Sequence, residues 1–252
     1  MILFLGCSLT WGQSLVYDKW LSDGKSYTFL NEHTPPQWNQ EENTFEDDEY
    51  RRIHSYPYLV SKELNRPYVT RYGNGGSNEE NMFILKNFEK FVGDSCCLEL
   101  VVFQFTEFMR DEKIEMINEK NYPILKSLLL SQLVELDHYC KNKFGFNVDR
   151  KSREVPWIAF SWRQEMSDLL KQHYPDNFMQ LVKPNGDTYE SISELVDNNV
   201  GLRYNEVDNK IKDAHPTHEY HKIVTESILN HIKNKKIKFS EYRNVEGGKT
   251  LV

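Results

Sequence analysis

Four short apolar runs, spaced along the chain with stretches of helical period between them, restrict what this sequence can fold into more than any other feature. The runs are Ile2–Leu5, residues 67–72, residues 98–105 and Trp157–Ser161. The first breaks at Gly6-Cys7-Ser8, the second at Gly73-Asn74-Gly75-Gly76-Ser77-Asn78, and the third ends in Gln104-Phe105-Thr106-Glu107. A short, continuously apolar run bounded by turn residues is the pattern of a strand buried on both faces. Between the runs, Tyr56, Leu59, Val60 and Leu64 form one helical stripe, residues 79–91 read as an amphipathic helix, and Ile124, Leu125, Leu128, Leu129, Leu133 and Leu136 give a buried helical face. Strand and helix alternate four times. That alternation predicts an α/β fold with a parallel sheet between two helical layers, and such sheets bind ligands at the carboxyl ends of their strands.

A chain of 252 residues is long enough for one sizeable core. A single domain is expected over residues 1–235, with 236–252 as a C-terminal tail. Residues 22–54 are polar, acidic and aromatic without a regular period, and read as a surface excursion or lid; residues 111–150 read as a helical insertion. Residues 163–173 read as helix and 178–182 as a further strand. A closing helix is expected from Thr217 to about residue 233, with Pro216 suited to its start.

The net charge of −7 argues against a nucleic-acid binder, because affinity for phosphate backbones comes from clustered Lys and Arg. The one basic run, Lys233, Lys235, Lys236 and Lys238, reads as a solvated helix end. Cys7, Cys96, Cys97 and Cys140 lack metal-ligand spacing, which suits a reducing compartment. Leu3-Phe4-Leu5-Gly6-Cys7 is too short, and lacks the basic region, for a lipoprotein signal. No apolar run approaches the roughly 20 residues of a membrane-spanning helix. A cytoplasmic protein without a membrane partner is the expectation.

The polar residues gather where the sheet reading puts strand exits. In Gly6-Cys7-Ser8-Leu9-Thr10, a serine at a strand-to-helix turn combines an accessible hydroxyl with a free backbone N–H, the needs of a nucleophile and of an oxyanion donor; helix capping is the other role such a serine takes. Gly75-Gly76-Ser77-Asn78 offers unhindered backbone donors at a helix start, or a tight turn with a cap. In Asp213-Ala214-His215-Pro216, a carboxylate two residues from an imidazole can orient the ring while its other nitrogen accepts the serine proton.

Taken in order, Gly6-Cys7-Ser8-Leu9-Thr10, Gly76-Ser77-Asn78, the third strand ending at Thr106, and Asp213-x-His215-Pro216 resemble the blocks of the SGNH (GDSL-type) hydrolases over about residues 1–232. The resemblance implies a flavodoxin-like three-layer fold and hydrolysis of acetyl or other acyl esters, often on carbohydrates or lipids, without a metal or other cofactor. It implies Ser8 as nucleophile, His215 as base, Asp213 as the third triad member and Gly76 as an oxyanion donor. Two positions depart from the pattern: Cys7 stands where the family has aspartate, and Thr106 where it has an asparagine donor. A weakened oxyanion donor costs roughly 100- to 1000-fold in rate.

Asn78, Gln104, Arg110 and Trp11 complete the candidate substrate-binding set, with Arg110 able to grip an anionic group and Trp11 to stack on a sugar. Trp38, in the proposed lid, is a second stacking candidate. His215, His218 and His221 have the spacing of one helix face, but the sequence lacks the glutamate of the zinc-protease motif and no metal site is expected. The expected partner is a small-molecule or carbohydrate ester. A non-catalytic binding module on the same fold, and an acyltransferase using the same triad, are the competing readings.

Overall fold

The computed structural model of the chain describes residues 1–25, 44–71, 76–92, 98–106, 120–143, 154–207, 214–239 and 249–251. Among them are the strands β1 (Ile2–Leu5), β2 (Tyr68–Arg71), β3 (Leu100–Phe105), β4 (Trp157–Ser161), β5 (Leu181–Val182), β6 (Thr188–Tyr189) and β7 (Lys249–Leu251). The main sheet has the order β4-β3-β1-β2-β7 and every pairing in it is parallel. Leu3 sits centrally, in register with Val69 of β2 on one side and Val101 of β3 on the other.

Because successive side chains on a strand face opposite ways, the sheet feeds two cores. Leu3, Leu5, Val101, Phe103, Phe105 and Ala159 pack into one; Ile2, Phe4, Leu100, Val102, Ile158 and Phe160 pack into the other. Each layer of helices supplies a matching apolar face. The chain leaves β1 into α1 (Ser8–Trp11) and α2 (Val16–Ser22), then passes through α3 (Phe45–His54) and α4 (Tyr56–Leu64) to β2. Next come α5 (Asn78–Lys86), α6 (Phe88–Val92), β3, α7 (Tyr122–His138), β4 and α8 (Gln164–His173). The first core is closed by Met82 and Leu85 of α5, Leu125, Leu129, Leu133 and Leu136 of α7, and Met166 and Leu170 of α8. After β5 and β6 follow α9 (Ile192–Asp197), α10 (Tyr204–Val207) and α11 (His218–Asn234). Tyr56 and Val60 of α4, Leu195 of α9, and Ile223, Val224 and Ile228 of α11 close the second core. Burying a side chain of this size stabilises by about 1.5 to 3 kcal/mol. The strand order reverses between β1 and β3, and in doubly wound sheets the carboxyl ends of the strands at such a reversal are where ligands bind.

Three expectations are corrected. The reading of residues 22–54 as irregular fails over Phe45–His54, which is helical. Thr44 accepts from Asp47 N, the Asp47 carboxylate accepts from Thr44 N, and Arg51–Asp48 and Arg52–Glu49 pairs brace the next turns. A helix built on charges, with Arg51 among its buried residues and Phe45 exposed, carries no apolar stripe to betray it. Residues 178–182 do not form one strand: Phe178 makes a single parallel bridge to Ala159, and Leu181–Val182 turn away to pair antiparallel with Thr188–Tyr189. The expected tail returns to the sheet, since Lys249–Leu251 pair with β2. The helix expected within 111–150 spans Tyr122–His138 and ends in a π turn over Tyr139–Lys143. Among the described residues, no helix is long and apolar enough to cross a membrane.

Candidate active site

The chain turns sharply out of β1 because Gly6 has no side chain. A Cβ there would lie 1.8 Å from Thr10 Oγ1 and 3.1 Å from Gln104 Oε1. Cys7 then takes extended N-cap angles and Ser8 opens α1, so the Ser8 N–H is one of the first-turn donors with no acceptor inside the helix. Gly12, at φ +78°, ends the helix by donating to Ser8 O. Beneath this turn runs a buried polar chain. Tyr56 Oη donates to Thr10 Oγ1 at 2.8 Å, Thr10 Oγ1 donates to Gln104 Oε1 at 2.7 Å, and Gln104 Nε2 lies 3.5 Å from Cys7 Sγ. Burial pushes the Tyr56 phenol far above its usual pKa, so it stays protonated and serves as the chain's donor.

The second and third strand exits are tied to the first by two asparagines of α5. Ser77 caps that helix, its hydroxyl accepting from Glu80 N while the Glu80 carboxylate accepts from Ser77 N, which sets the buried Gly76 just outside the first turn. Asn78 Oδ1 accepts from Thr106 N at 2.7 Å and Asn78 Nδ2 donates to Thr106 O at 3.3 Å. One helical turn later, Asn81 Oδ1 accepts from Gly6 N at 3.1 Å and Asn81 Nδ2 donates to Ser77 O at 2.9 Å. The two fully buried amides thus hold the exits of β1 and β3 against the start of α5.

The imidazole arrives from the far end of the sequence. Tyr204 N donates to His215 O at 3.1 Å, Thr217 N donates to Leu202 O at 3.0 Å, and Arg203 and Pro216 form an isolated antiparallel bridge, so the residues before α11 are held against residues 202–204. His215 Nε2 then lies 3.0 Å from Ser8 Oγ, across 207 residues of sequence. Ser8 is 1% exposed and His215 is half-buried. A hydrogen bond so shielded from water is electrostatically stronger than an exposed one.

The other two histidines of the series diverge from this contact. His218 Nδ1 pairs with Asp18, and its ring packs edge-on to His54 at 4.7 Å between centroids. His221 Nδ1 accepts from Tyr56 N at 3.1 Å and stacks on the Tyr56 ring. Burial, with the nearby His218 and His54 in support, lowers the His221 pKa to about 3, so its ring is neutral and structural. Among the described residues, no group of His, Cys, Asp and Glu is arranged to hold a metal.

Of the residues singled out in the sequence, the fold brings Ser8 and His215 together and gathers Gly76, Asn78, Gln104 and Thr106 at the adjoining strand exits. Two roles are corrected. Asn78 and Gln104 were expected to bind substrate, but both ends of each amide are engaged with the protein's own turns, Asn78 with the Thr106 backbone and Gln104 with Thr10 and Cys7. Thr106 is 1% exposed, with its backbone clamped by Asn78. Trp11 lies in α1. Asp213, Arg110 and Trp38 fall outside the described residues. Sequence reasoning missed Asn81, although two asparagines spaced i, i+3 on a helix otherwise facing the core are a signal of buried polar bracing. It also missed Tyr56, read there only as an apolar residue. No match to this chain was found among protein families, curated proteins or solved structures.

Proposed function

We propose that this chain is a serine esterase of SGNH type on a flavodoxin-like fold, acting on a short-chain acyl ester, O-acetyl esters of carbohydrates included. The observation that carries the reading is the 3.0 Å approach of His215 Nε2 to Ser8 Oγ. That distance is what general-base activation of a nucleophile requires, and helix capping by Ser8 would not call for it. The strand order, with its reversal beside β1, supports the same reading, because it is the 2-1-3-4 order of doubly wound sheets that bind ligand at this edge.

In the reaction, His215 accepts the Ser8 proton at Nε2 as Oγ attacks the ester carbonyl. The Ser8 N–H, the Gly76 N–H and the Thr106 side chain are the proposed donors to the resulting oxyanion. Collapse expels the alcohol, which takes the proton from His215, and leaves an acyl group on Ser8. Water, deprotonated by His215, then attacks the acyl-enzyme; the second collapse releases the acid and returns the proton to Ser8. Asp213 is assigned the task of steadying the imidazolium.

The test is covalent. A fluorophosphonate probe should label the folded chain at Ser8, and Ser8→Ala should abolish both labelling and the slow hydrolysis of 4-nitrophenyl acetate. Folded wild-type protein that takes no label and turns over no ester would favour the binding-module reading instead.

A further inference from the structure

Ser8 and His215 are joined by more than their own hydrogen bond. Six residues after Ser8, the hydroxyl of Ser14 donates to Pro216 O at 3.1 Å, across 202 residues of sequence. Ser14 is 1% exposed, and Pro216 directly follows His215. The two segments therefore touch twice, once through the reacting atoms and once through a bond that reacts with nothing.

Both arms of this link are stiff. On the serine side, Gly12 N and Gln13 N both donate to Ser8 O, at 2.9 and 3.1 Å, and Leu15 N donates to Gly12 O at 3.1 Å, so the turns on either side of Ser14 are closed back toward Ser8. On the histidine side, proline holds its own φ near −65° and restricts the backbone of the residue before it. Fixing Pro216 O consequently leaves the His215 ring few ways to drift. Tyr204 of α10, whose N–H holds His215 O, packs on Tyr17 of α2 at 5.2 Å between ring centroids, so the support under His215 is itself packed on the helix that follows Ser14.

We infer that Ser14 is a positioning residue for the Ser8–His215 pair: its hydroxyl, by holding Pro216 O, sets the imidazole at hydrogen-bonding distance from the nucleophile. The catalytic consequence rests on the proposed esterase reading; the geometric consequence stands apart from it. A neutral hydrogen bond contributes little to stability by itself, but a displacement of about 1 Å between reacting groups can cost on the order of 100-fold in rate. Loss of Ser14 should show in turnover as well as in folding, because it also leaves the buried Pro216 O without this donor.

The experiment compares full-length wild type with Ser14→Ala, Ser14→Thr and Ser227→Ala. Ser227 is the control: its hydroxyl is also buried and also bridges two elements, accepting from Val182 N and donating to Ile223 O, but it lies more than two turns along α11 from His215. Ser14→Ala is expected to lower the rate of fluorophosphonate labelling and kcat for 4-nitrophenyl acetate by about 10-fold or more, with KM within about twofold. Ser14→Thr, which keeps the hydroxyl, should restore most of that loss, and Ser227→Ala should leave the labelling rate unchanged. The imidazole nitrogen resonances of His215 are read by NMR in each protein, and only Ser14→Ala should move them. Wild-type labelling and unmoved His215 resonances in Ser14→Ala would overturn the inference. If wild type takes no label, the esterase reading falls, and the His215 resonances still decide whether Ser14 holds the ring. Ser14→Cys, near in volume and a weaker donor, supplies the comparison if Ser14→Ala does not fold.

Discussion

Replacing Gly6 by alanine probes the turn on which the site is built. The added methyl would sit 1.8 Å from Thr10 Oγ1, about 1.2 Å inside the 3.0 Å that such atoms keep, and 2.9 Å from Thr10 Cβ. Thr10 cannot swing aside freely, because its hydroxyl accepts from Tyr56 Oη and donates to Gln104 Oε1. Turning it away leaves two buried groups without a partner, at about 1 to 3 kcal/mol each, while keeping it in place overpacks the turn by about 1 to 3 kcal/mol. An overlap that deep cannot simply be kept, so Thr10 turns away and we expect Gly6→Ala to lose about 2 to 6 kcal/mol, the two lost partnerships together. That is a large part of the roughly 5 to 15 kcal/mol available to a domain. Urea unfolding followed by circular dichroism measures it, with Thr10→Ala and the double variant completing a cycle. Removing the Thr10 hydroxyl relieves the worst overlap, so the two losses should fall short of additive by about 1 to 3 kcal/mol. A Gly6→Ala protein within about 0.5 kcal/mol of wild type, or a strictly additive cycle, would refute the packing argument.

Asn81→Leu deprives Gly6 N–H of its acceptor and Ser77 O of a donor; we expect a loss of about 1 to 3 kcal/mol in urea unfolding, together with slower labelling of Ser8. His221 is neutral in the folded state, with a pKa of about 3 against an ordinary value of 6.5, so only the unfolded chain takes up its proton between those limits. Its contribution to stability is complete above about pH 6.5 and is lost as pH falls toward 3, at up to about 1.4 kcal/mol per pH unit. The slope of unfolding free energy between pH 4 and 6 should drop by about one proton in His221→Asn, and an unchanged slope would contradict this assignment. Asp47, whose carboxyl accepts from Lys19 Nζ at 2.7 Å, has a lowered pKa, with Lys19, Trp20 and Thr44 outweighing the opposing effect of burial. Asp47→Asn should therefore cost most above the ordinary carboxylate pKa and progressively less as pH falls through the folded value, measured as the difference in unfolding free energy from wild type.

Local pattern was enough to read the layered α/β class, the four central strands, the apolar face of α4, that of α7 apart from the exposed Ile124 it also counted, and the placing of Ser8 and His215 at turns. These follow from residue spacing, because a strand alternates every second residue and a helix repeats about every 3.6, whatever the rest of the chain does. Where stability came from charge and not from an apolar stripe, as in Phe45–His54, that reading failed. It failed again for Asn78 and Gln104, since an amide facing substrate and an amide bracing a turn look alike in sequence. Tertiary structure alone decided which polar groups meet. The approach of Ser8 to His215, the Asn81 clamp on Gly6 and the bond from Ser14 to Pro216 span 207, 75 and 202 residues. Contacts at such separation depend on strand order, helix placement and packing acting together, and a few neighbouring residues do not encode them.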